Sequence, residues 1–308
     1  MTERLLRVGT RGSALALAQS GAIAGRVAEL ADAGYDLVRV RTEGDVNTGP
    51  LAAIGGTGVF VTAVRTALAD GRVDVIVHSY KDLPTAPADG LTLGAVPVRE
   101  NPADALCARD GATLETLPTG ARIGTGSPRR AAQLLLRRPD LTVLPIRGNV
   151  DTRLRMVTDG HVDGVVLAAA GLSRLNRSNA ITELFPVEVM LPAPAQGALA
   201  VECRTPDVDA AWFSGALAAV DDADTRSAAA AERALLRTLE AGCIAPVGAH
   251  ATVAGNVITL TGAVIAVDGS SAVRGELSGA VGDAAVIGRE LAQDLLSRGA
   301  GVLLGAAR

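Results

Sequence analysis

Two pairs of similar segments recur along this chain in the same order. The first pair is Arg7-Val-Gly-Thr-Arg-Gly-Ser-Ala and Arg122-Ile-Gly-Thr-Gly-Ser-Pro, each followed by an Ala/Leu-rich stretch typical of a helix. The second pair is Asp70-Gly-Arg-Val-Asp-Val-Ile-Val and Asp159-Gly-His-Val-Asp-Gly-Val-Val. The repeated order predicts two α/β lobes of similar design. The alternative is chance similarity in a chain rich in Ala, Val and Gly.

Two proline-containing stretches, at 97–102 and 192–197, separate the repeated halves. We interpret them as two crossings of the chain between the lobes. Two lobes joined in this way form a hinged cleft that can enclose a ligand. The predicted domains are therefore a discontinuous first lobe and a continuous second lobe, at residues 1–98 with 197–217 and at residues 102–193.

The composition changes after residue 222, beyond the pair Asp221-Asp222. A predicted helix at about 225–240, three alternating strands within 247–280 and a last helix over 284–297 are typical of a small α+β domain. The sequence thus predicts a third domain over 222–308. The length of 308 residues is enough for two or three domains with sizeable cores.

The stretch 73–84 combines a buried strand with a polar turn. Residues 73–77 are almost all β-branched, which predicts a buried parallel strand. The turn that follows carries Ser79, Lys81 and Asp82. Ligands of open α/β sheets bind beyond the carboxyl ends of the strands, so this turn is a candidate site. Lys81 is also the single lysine among 29 basic residues. The alternative is an ordinary solvated Lys–Asp turn.

Cationic side chains are concentrated between Arg122 and Arg155, where eight arginines accompany only two acids. Ser127 and Pro128 predict the cap and first residue of a helix, whose free N–H groups favour anions. Arginine side chains bind carboxylates and phosphates through two parallel hydrogen bonds. The pattern predicts a site for a small polyanion, with candidate residues Arg11, Ser13, Arg129, Arg130, Arg147 and Arg153.

Several other classes of function are disfavoured by composition. The formal net charge of −4 argues against a general nucleic-acid or membrane-surface binder. The arginine-rich window contains no aromatic residue, although single-stranded nucleic-acid sites use such rings to stack bases. No apolar run approaches the ~20 residues of a membrane helix. The histidines, His78, His161 and His250, show no metal-ligand spacing and are expected to be structural. An odd number of cysteines, three, fits a reducing cytosol rather than a disulfide framework.

The cysteines themselves are predicted to differ. Cys107 and Cys203 lie in apolar strand patterns and are expected in the core. Cys243 follows the C-terminal end of a predicted helix, where the helix dipole disfavours a thiolate. From the residues alone it is an ordinary loop thiol. Residues 42–58 carry many glycines and lack apolar periodicity, which predicts a mobile loop.

Seven motifs in this order resemble the porphobilinogen deaminase (hydroxymethylbilane synthase) family over nearly the whole chain. They are Val8-Gly-Thr-Arg-Gly-Ser, His78-Ser-Tyr-Lys-Asp-Leu-Pro, Gly124-Thr-Gly-Ser-Pro-Arg-Arg, Leu144-Pro-Ile-Arg-Gly-Asn-Val, Ala168-Ala-Ala-Gly-Leu-Ser-Arg-Leu, Pro194-Ala-Gln-Gly-Ala-Leu and Gly242-Cys-Ile-Ala-Pro-Val-Gly. The resemblance implies an α/β fold with two hinged lobes like those of periplasmic binding proteins, plus a small C-terminal α+β domain.

The resemblance also implies a transferase of tetrapyrrole (porphyrin and heme) biosynthesis. Four porphobilinogen molecules would add head to tail on a dipyrromethane cofactor, held by a thioether to Cys243, with release of ammonia and hydroxymethylbilane. Asp82 would be the catalytic acid that stabilises the pyrrole N–H and shuttles protons, and Lys81 would assist. The residues implied to bind pyrrole carboxylates are Arg11, Ser13, Ser79, Thr125, Ser127, Arg129, Arg130, Arg147, Arg153 and Arg174.

The implied protein is a cytoplasmic monomer whose partner is the small-molecule substrate, without nucleic acid, membrane or metal. The sequence departs from the family pattern at Ala53 and Thr57, where lysines are usual, and at Gly126, which replaces a more usual Ser. The alternative function is a non-catalytic anion-binding protein on the same hinged scaffold. The missing export signal and the Gly242-Cys243 motif count against it.

Overall fold

The computed structural model describes three stretches of the chain, residues 4–40, 58–240 and 245–305. The loop predicted at 42–58 lies outside them except for residue 58, and so do Ala53, Thr57 and Cys243. Within the three stretches, no helix combines the length and the apolar character needed to cross a membrane.

The described strands and helices are numbered in chain order. The strands are β1 Leu5–Thr10, β2 Gly34–Arg39, β3 Val75–Ser79, β4 Leu91–Ala95, β5 Asp104–Ala108, β6 Arg122–Thr125, β7 Thr142–Pro145, β8 Gly164–Ala168, β9 Glu183–Leu184, β10 Leu199–Arg204, β11 Val247–Ala254, β12 Val257–Ile265 and β13 Ala272–Ala280. The helices are α1 Ala14–Leu30, α2 Gly58–Ala69, α3 Pro128–Arg137, α4 Val150–Thr158, α5 Ala169–Arg174, α6 Asp207–Ala210, α7 Ser214–Val220, α8 Ala223–Thr238, α9 Ala284–Ser297 and α10 Ala300–Gly305.

The chain divides into two compact units, Met1–Arg99 with Ala198–Arg226 and Glu100–Gly197 with Ser227–Arg308. The first contains a five-stranded sheet in the order β2-β1-β3-β10-β4. The second contains a five-stranded sheet in the order β7-β6-β8-β5-β9 and the three-stranded sheet β11-β12-β13. The predicted class, α/β with a small C-terminal α+β part, is confirmed.

The sheet of the first unit follows from its apolar pattern. The strand predicted at 73–77 forms as β3 but two residues later, at Val75–Ser79, so Ser79 ends the strand instead of belonging to the turn. Strand β3 lies parallel to β1 and antiparallel to β10. Its alternating side chains serve two cores: Val75 and Val77 face the cluster that includes α1, and Ile76 faces the cluster of α2. Helix α1 begins where predicted, because the Ser13 hydroxyl accepts a hydrogen bond from the Ala16 N–H at 3.3 Å. The end of β3 is therefore flanked by helices on both faces.

The two repeated segments occupy equivalent places in their two sheets. Val8 pairs with Val75 in the first unit, and Ile123 pairs with Gly164 in the second. The residues just before these pairs form the same clamp in both units. The Asp74 carboxylate accepts from the Arg7 N–H at 2.9 Å, and the Asp163 carboxylate accepts from the Arg122 N–H at 2.7 Å.

The side chains and backbones complete each clamp. The Arg7 guanidinium binds Asp74, and the Arg122 guanidinium binds Asp163. In the opposite direction, the Asp74 N–H donates to the Arg7 carbonyl and the Asp163 N–H donates to the Arg122 carbonyl, both at 2.8 Å. A contact repeated atom for atom rules out chance similarity and confirms two α/β sheets of one design.

The C-terminal sheet packs against α8, α9 and α10 around a shared apolar core. Its three strands form an antiparallel meander, as the alternating pattern predicted. The predicted last helix, α9, is confirmed with its bounds. The short helix α10 was not predicted; it buries Ala300 and Leu304 in the same core.

The segment 195–197 adopts an unusual backbone conformation. Ala195 and Gly197 both have positive φ, 61° and 90°. The Glu232 carboxylate holds Ala195 by accepting from its N–H at 2.5 Å. A side chain at Gly197 would overlap the carbonyl oxygen of Glu100, so only glycine fits there.

We therefore expect Gly197→Ala to destabilise the protein by about 3 kcal/mol or more, because the left-handed backbone and the overlap both act against it. Gly71→Ala is the matched control, since Gly71 has φ of 72° but open space around it. The control should cost only about 1 kcal/mol. Denaturant titration of both variants measures the difference, and equal losses would show that the approach to Glu100 is not a constraint.

Candidate active site

A pocket of about 100 Å³ lies beyond the carboxyl ends of β1 and β3, where the sequence predicted chemistry. It brings together four predicted site residues that are distant in sequence: Arg11, Ser13, Ser79 and Asp82. The rest of its lining is Gly9, Thr10, Leu15, Ala16, Gln19, Val61, Val64, Ile76, Val77 and His78. The pocket therefore has an apolar floor and a polar rim.

Asp82 and Ser79 are positioned at the pocket by different structural elements. Asp82 is the last residue of a short 3-10 turn, Tyr80–Asp82, that begins directly after β3, and its side chain is exposed. The Ser79 hydroxyl is fixed by the buried side chain of Gln19, whose amide nitrogen lies 3.0 Å away. Lys81 belongs to the same turn but does not line the pocket. Sequence reasoning missed Gln19, because nothing distinguishes it from other polar residues on α1.

A buried charged chain also borders this pocket. The Glu202 carboxylate on β10 accepts two hydrogen bonds from Arg65, at 2.9 and 2.7 Å. The same carboxylate lies 3.1 Å from Nε2 of the pocket residue His78. The histidine was predicted to be structural, and Glu202 was missed. An acid inside the apolar run Leu-Ala-Val-Glu-Cys was the available signal, because buried charges need partners.

In the second unit, Arg129 and Arg130 begin α3 as predicted, after a cap in which the Ser127 hydroxyl accepts from the Arg130 N–H at 3.4 Å. Both guanidinium groups are buried and bind Asp104, at 2.7 and 2.8 Å. Burial opposes ionisation of Asp104, but the two arginines hold its pKa well below its usual range. Thr125 supports the turn by accepting from the Ser127 N–H at 3.2 Å.

The Arg129–Asp104–Arg130 cluster was only half predicted. Asp104, an acid in the apolar strand Asp-Ala-Leu-Cys-Ala, was missed. One carboxylate faces two guanidinium groups, so the cluster keeps one net positive charge. The role of Arg129 and Arg130 in binding ligand carboxylates stays a prediction.

Arg153, on α4, is a partly buried cation with nearby arginines. Its buried Nε atom has no hydrogen-bond partner among the described residues. Burial lowers the pKa of the Arg153 guanidinium, and the charges of Arg130 and Arg147 lower it further. Arg147, after the end of β7, is exposed. The group therefore fits a polycarboxylate ligand, whose negative charges would supply the missing partners.

Arg174 and Gly126 shape the surroundings of these residues. The Arg174 guanidinium donates to the Gly197 carbonyl at 2.7 Å, and burial lowers its pKa. Gly126 allows the Ile146 carbonyl to approach closely, since a Cβ at 126 would lie 2.7 Å from that oxygen. The family's more usual Ser would require this strand end to shift.

Cys243, the predicted attachment residue, lies outside the described residues. Cys107 and Cys203 are buried core thiols, as predicted. Burial raises the pKa of Cys107 to about 12 and that of Cys203 to about 11. Neither is a reactive thiol at neutral pH.

Fold and side chains together define a class: a mixed α/β protein that presents cations and one acidic turn beyond its strand ends. Two family models match the chain. Residues 6–211 match "Porphobilinogen deaminase, dipyromethane cofactor binding domain", and residues 227–297 match "Porphobilinogen deaminase, C-terminal domain". The chain belongs to the porphobilinogen deaminase family, and it contains the family's cofactor-binding domain.

Individual relatives are similar in sequence to this chain over nearly its full length. The chain is 52% identical to porphobilinogen deaminase 1 of Streptomyces avermitilis, over 99% of both chains. It is 50% identical to the porphobilinogen deaminase of Thermobifida fusca, over 96% of this chain and 94% of that one. Among solved structures, a periplasmic substrate-binding protein of an ABC transporter from Coxiella burnetii overlaps 74% of this chain and 96% of that one, at a TM-score of 0.45 and 16% identity.

The uncompensated charge at Arg153 leads to a stability prediction. Arg153→Met should leave the cofactor-free protein as stable as the parent, or more stable by about 1 kcal/mol, because a buried unpaired cation is replaced by an apolar side chain. The same change should weaken retention of a polycarboxylate ligand. Arg155→Met, an exposed position on the same helix, is the control and should change neither property. Denaturation of the cofactor-free protein measures the first effect, and a loss of several kcal/mol would show that Arg153 is structural.

Proposed function

We propose that this protein is a transferase that deaminates porphobilinogen and joins four molecules of it head to tail, releasing ammonia and hydroxymethylbilane. The observation that carries the proposal is the pocket beyond β1 and β3, where Arg11, Ser13, Ser79 and Asp82 converge in a member of this family. Incubation with porphobilinogen, with ammonia and the linear tetrapyrrole measured together, is the direct test.

Asp82 is proposed as the catalytic acid. Loss of ammonia from an aminomethylpyrrole leaves positive charge on the substrate, shared between the methylene carbon and the pyrrole nitrogen. A carboxylate at the pocket rim stabilises this charge and can accept the pyrrole N–H. Ser79, fixed by Gln19, supplies a hydroxyl beside it. Lys81, in the same turn, is proposed to assist.

The arginines are proposed to hold carboxylates. Each pyrrole ring of substrate and product carries an acetate and a propionate group, so a growing chain accumulates negative charge. Arg11 and Ser13 serve the pocket of the first unit. In the second unit, the buried Nε of Arg153 has no described partner and Arg147 is exposed, while Arg129 and Arg130 keep one net charge beside Asp104. Thr125, Ser127 and Arg174 support this group.

When bound, the dipyrromethane cofactor supplies the primer on which the substrate rings are assembled. Cys243 is proposed to anchor it through a thioether. This proposal is supported by the other two thiols, which are buried and held protonated. A thioether also needs no activating base once it has formed, and no histidine motif accompanies Cys243 in the sequence.

The anchor leads to a mass prediction. Denatured wild-type protein should weigh more than its sequence by one dipyrromethane unit, and peptide mapping should locate the addition on Cys243. Limiting substrate should add further steps of one pyrrole each. Cys243→Ser should lose both the added mass and the activity, because a hydroxyl is a far weaker nucleophile. Cys107→Ala and Cys203→Ala are the controls that keep the added mass. Active protein with the bare sequence mass would refute the covalent anchor.

Asp82→Asn should fold normally and retain the cofactor, since Asp82 is exposed, yet its kcat should fall by at least ~100-fold because the negative charge is lost. Asp89→Asn, an exposed acid in the following loop, is the control and should keep wild-type kcat. Steady-state kinetics with matched cofactor content measures the difference. A kcat within a few-fold of wild type in Asp82→Asn would remove Asp82 from the catalytic role.

We further propose that the protein works in the cytoplasm as a monomer. The compartment is supported by the free, buried thiols of Cys107 and Cys203, which suit a reducing environment. Light scattering coupled to gel filtration tests the monomer.

A further inference from the structure

The charged chain Arg65–Glu202–His78 has no part in the roles assigned so far, although His78 lines the pocket that holds Asp82. All three side chains are largely buried, and both oxygens of Glu202 are engaged. Burial of charges is costly unless they are paired. A chain of this kind therefore offers little stability that a well-packed apolar set would not also provide.

Glu202 fixes the protonation pattern of His78. Burial would raise the pKa of Glu202, but the hydrogen bonds from His78 and Arg65 hold it at about 2. The carboxylate is therefore ionised at neutral pH and can only accept hydrogen bonds. Nε2 of His78, 3.1 Å from it, must carry a proton. In the neutral ring, Nδ1 is then the free acceptor.

The internal repeat shows that the fold does not require this chain. In the alignment of the two repeats, Arg65 and His78 correspond to Leu154 and Leu167 of the second unit. Sheet pairing places Glu202 opposite Ile76, and the equivalent pair in the second unit is Cys107 opposite Val165. Leu154, Leu167 and Cys107 belong to one apolar cluster. The same sheet is thus built with an ordinary core at these three positions.

The polar turn beside the chain shows the same contrast. Ser79, Lys81 and Asp82 correspond to Ala168, Ala170 and Gly171 in the second unit. The charged chain therefore occurs in the unit that has the acidic turn and is replaced by apolar residues in the unit that lacks it. This association points to the chemistry of the pocket rather than to the architecture of the sheet.

We infer that His78 is the base that removes the ring proton in each addition, with Glu202 and Arg65 as the positioning residues that hold its tautomer. The inference rests on the proposed function. Under this inference the two side chains have different roles: Asp82 stabilises the positive charge on the substrate, and His78 accepts the proton from the ring. Of the charged groups around His78, Glu202 from β10 contacts its ring and Arg65 from α2 contacts Glu202. Arg11 and Asp82 line the same pocket as His78.

The step balances without any further reactant. The protonated amine leaves as ammonia and takes the electron pair of the carbon–nitrogen bond. A ring carbon of the growing chain forms the new carbon–carbon bond to the methylene. The same ring carbon then loses its proton to Nδ1 of His78, the ring recovers its aromatic electrons, and the imidazolium passes the proton to solvent.

The apolar pattern of the second unit supplies the test variant. The variant combines Arg65→Leu, His78→Leu and Glu202→Val. Position 202 receives Val rather than the Cys found at the equivalent position 107, so that no thiol is added. We expect the holoenzyme to melt within about 4 °C of wild type and to keep its cofactor. Its kcat should fall by at least ~100-fold, with KM within about threefold. His161→Gln, at an exposed histidine of the second unit, is the control with wild-type kinetics.

Two results would overturn the inference. One is a folded triple variant whose kcat stays within about fivefold of wild type. The other is a large loss of melting temperature with normal kcat per folded molecule, since that is the signature of a structural role.

A measurement on the wild-type protein without substrate does not depend on the variant folding. Nitrogen-15 NMR of labelled histidine should show His78 neutral, with its proton on Nε2, in the pH range of activity. A proton on Nδ1, or a doubly protonated ring throughout that range, would overturn the inference. Failure of the proposed function would appear differently, as wild-type protein that does not consume porphobilinogen.

Discussion

In each sheet, an arginine on one strand contacts an aspartate that lies just before the neighbouring parallel strand. This Arg–Asp clamp fixes the register on which both site regions depend. Arg7 and Asp74 are joined by one backbone–backbone hydrogen bond, by a second from the Arg7 N–H to the Asp74 carboxylate and by an ion pair. Arg122 and Asp163 are joined in the same way. A slip of one residue would turn every side chain of β3 to the opposite face. With the register fixed, β1 and β3 end next to each other, so the turns that follow them are adjacent. The pocket of Arg11 and Asp82 is a direct consequence.

Charge is distributed differently in the two units. The first unit carries the acidic turn and a buried chain in which Glu202 compensates Arg65 and faces His78. In the second unit, a single described carboxylate, Asp104, contacts the buried arginine pair, and the Nε of Arg153 has no described partner. Uncompensated buried cations reduce stability. They fit the proposed ligand, because a chain of substituted pyrroles brings several carboxylates.

Much of the fold could be predicted because local patterns and the global architecture agree. The β-branched run of β3, the caps at Ser13 and Ser127 and the meander of the C-terminal sheet all form as their patterns indicate. The polar rim of the pocket was also predictable, since strand ends and helix starts are visible in sequence. Gln19, Asp104 and Glu202 were not found. Their roles depend on partners 25 to 137 positions away, and no local pattern identifies those partners.

Because of the internal repeat, the packing of one sheet can be compared with that of an equivalent sheet in the same chain. Where the two units agree, as at the Arg–Asp clamps, the fold itself imposes the residues. Where they differ at equivalent buried positions, the fold accepts either choice, so another requirement selects the residue. Leu154, Leu167 and Cys107 form an ordinary core, whereas Arg65, His78 and Glu202 place three polar groups in the same positions. Burying these groups offers no advantage in packing over the apolar set. The reason for them is therefore to be sought in the pocket that His78 borders, where a proton must be removed each time a ring is added.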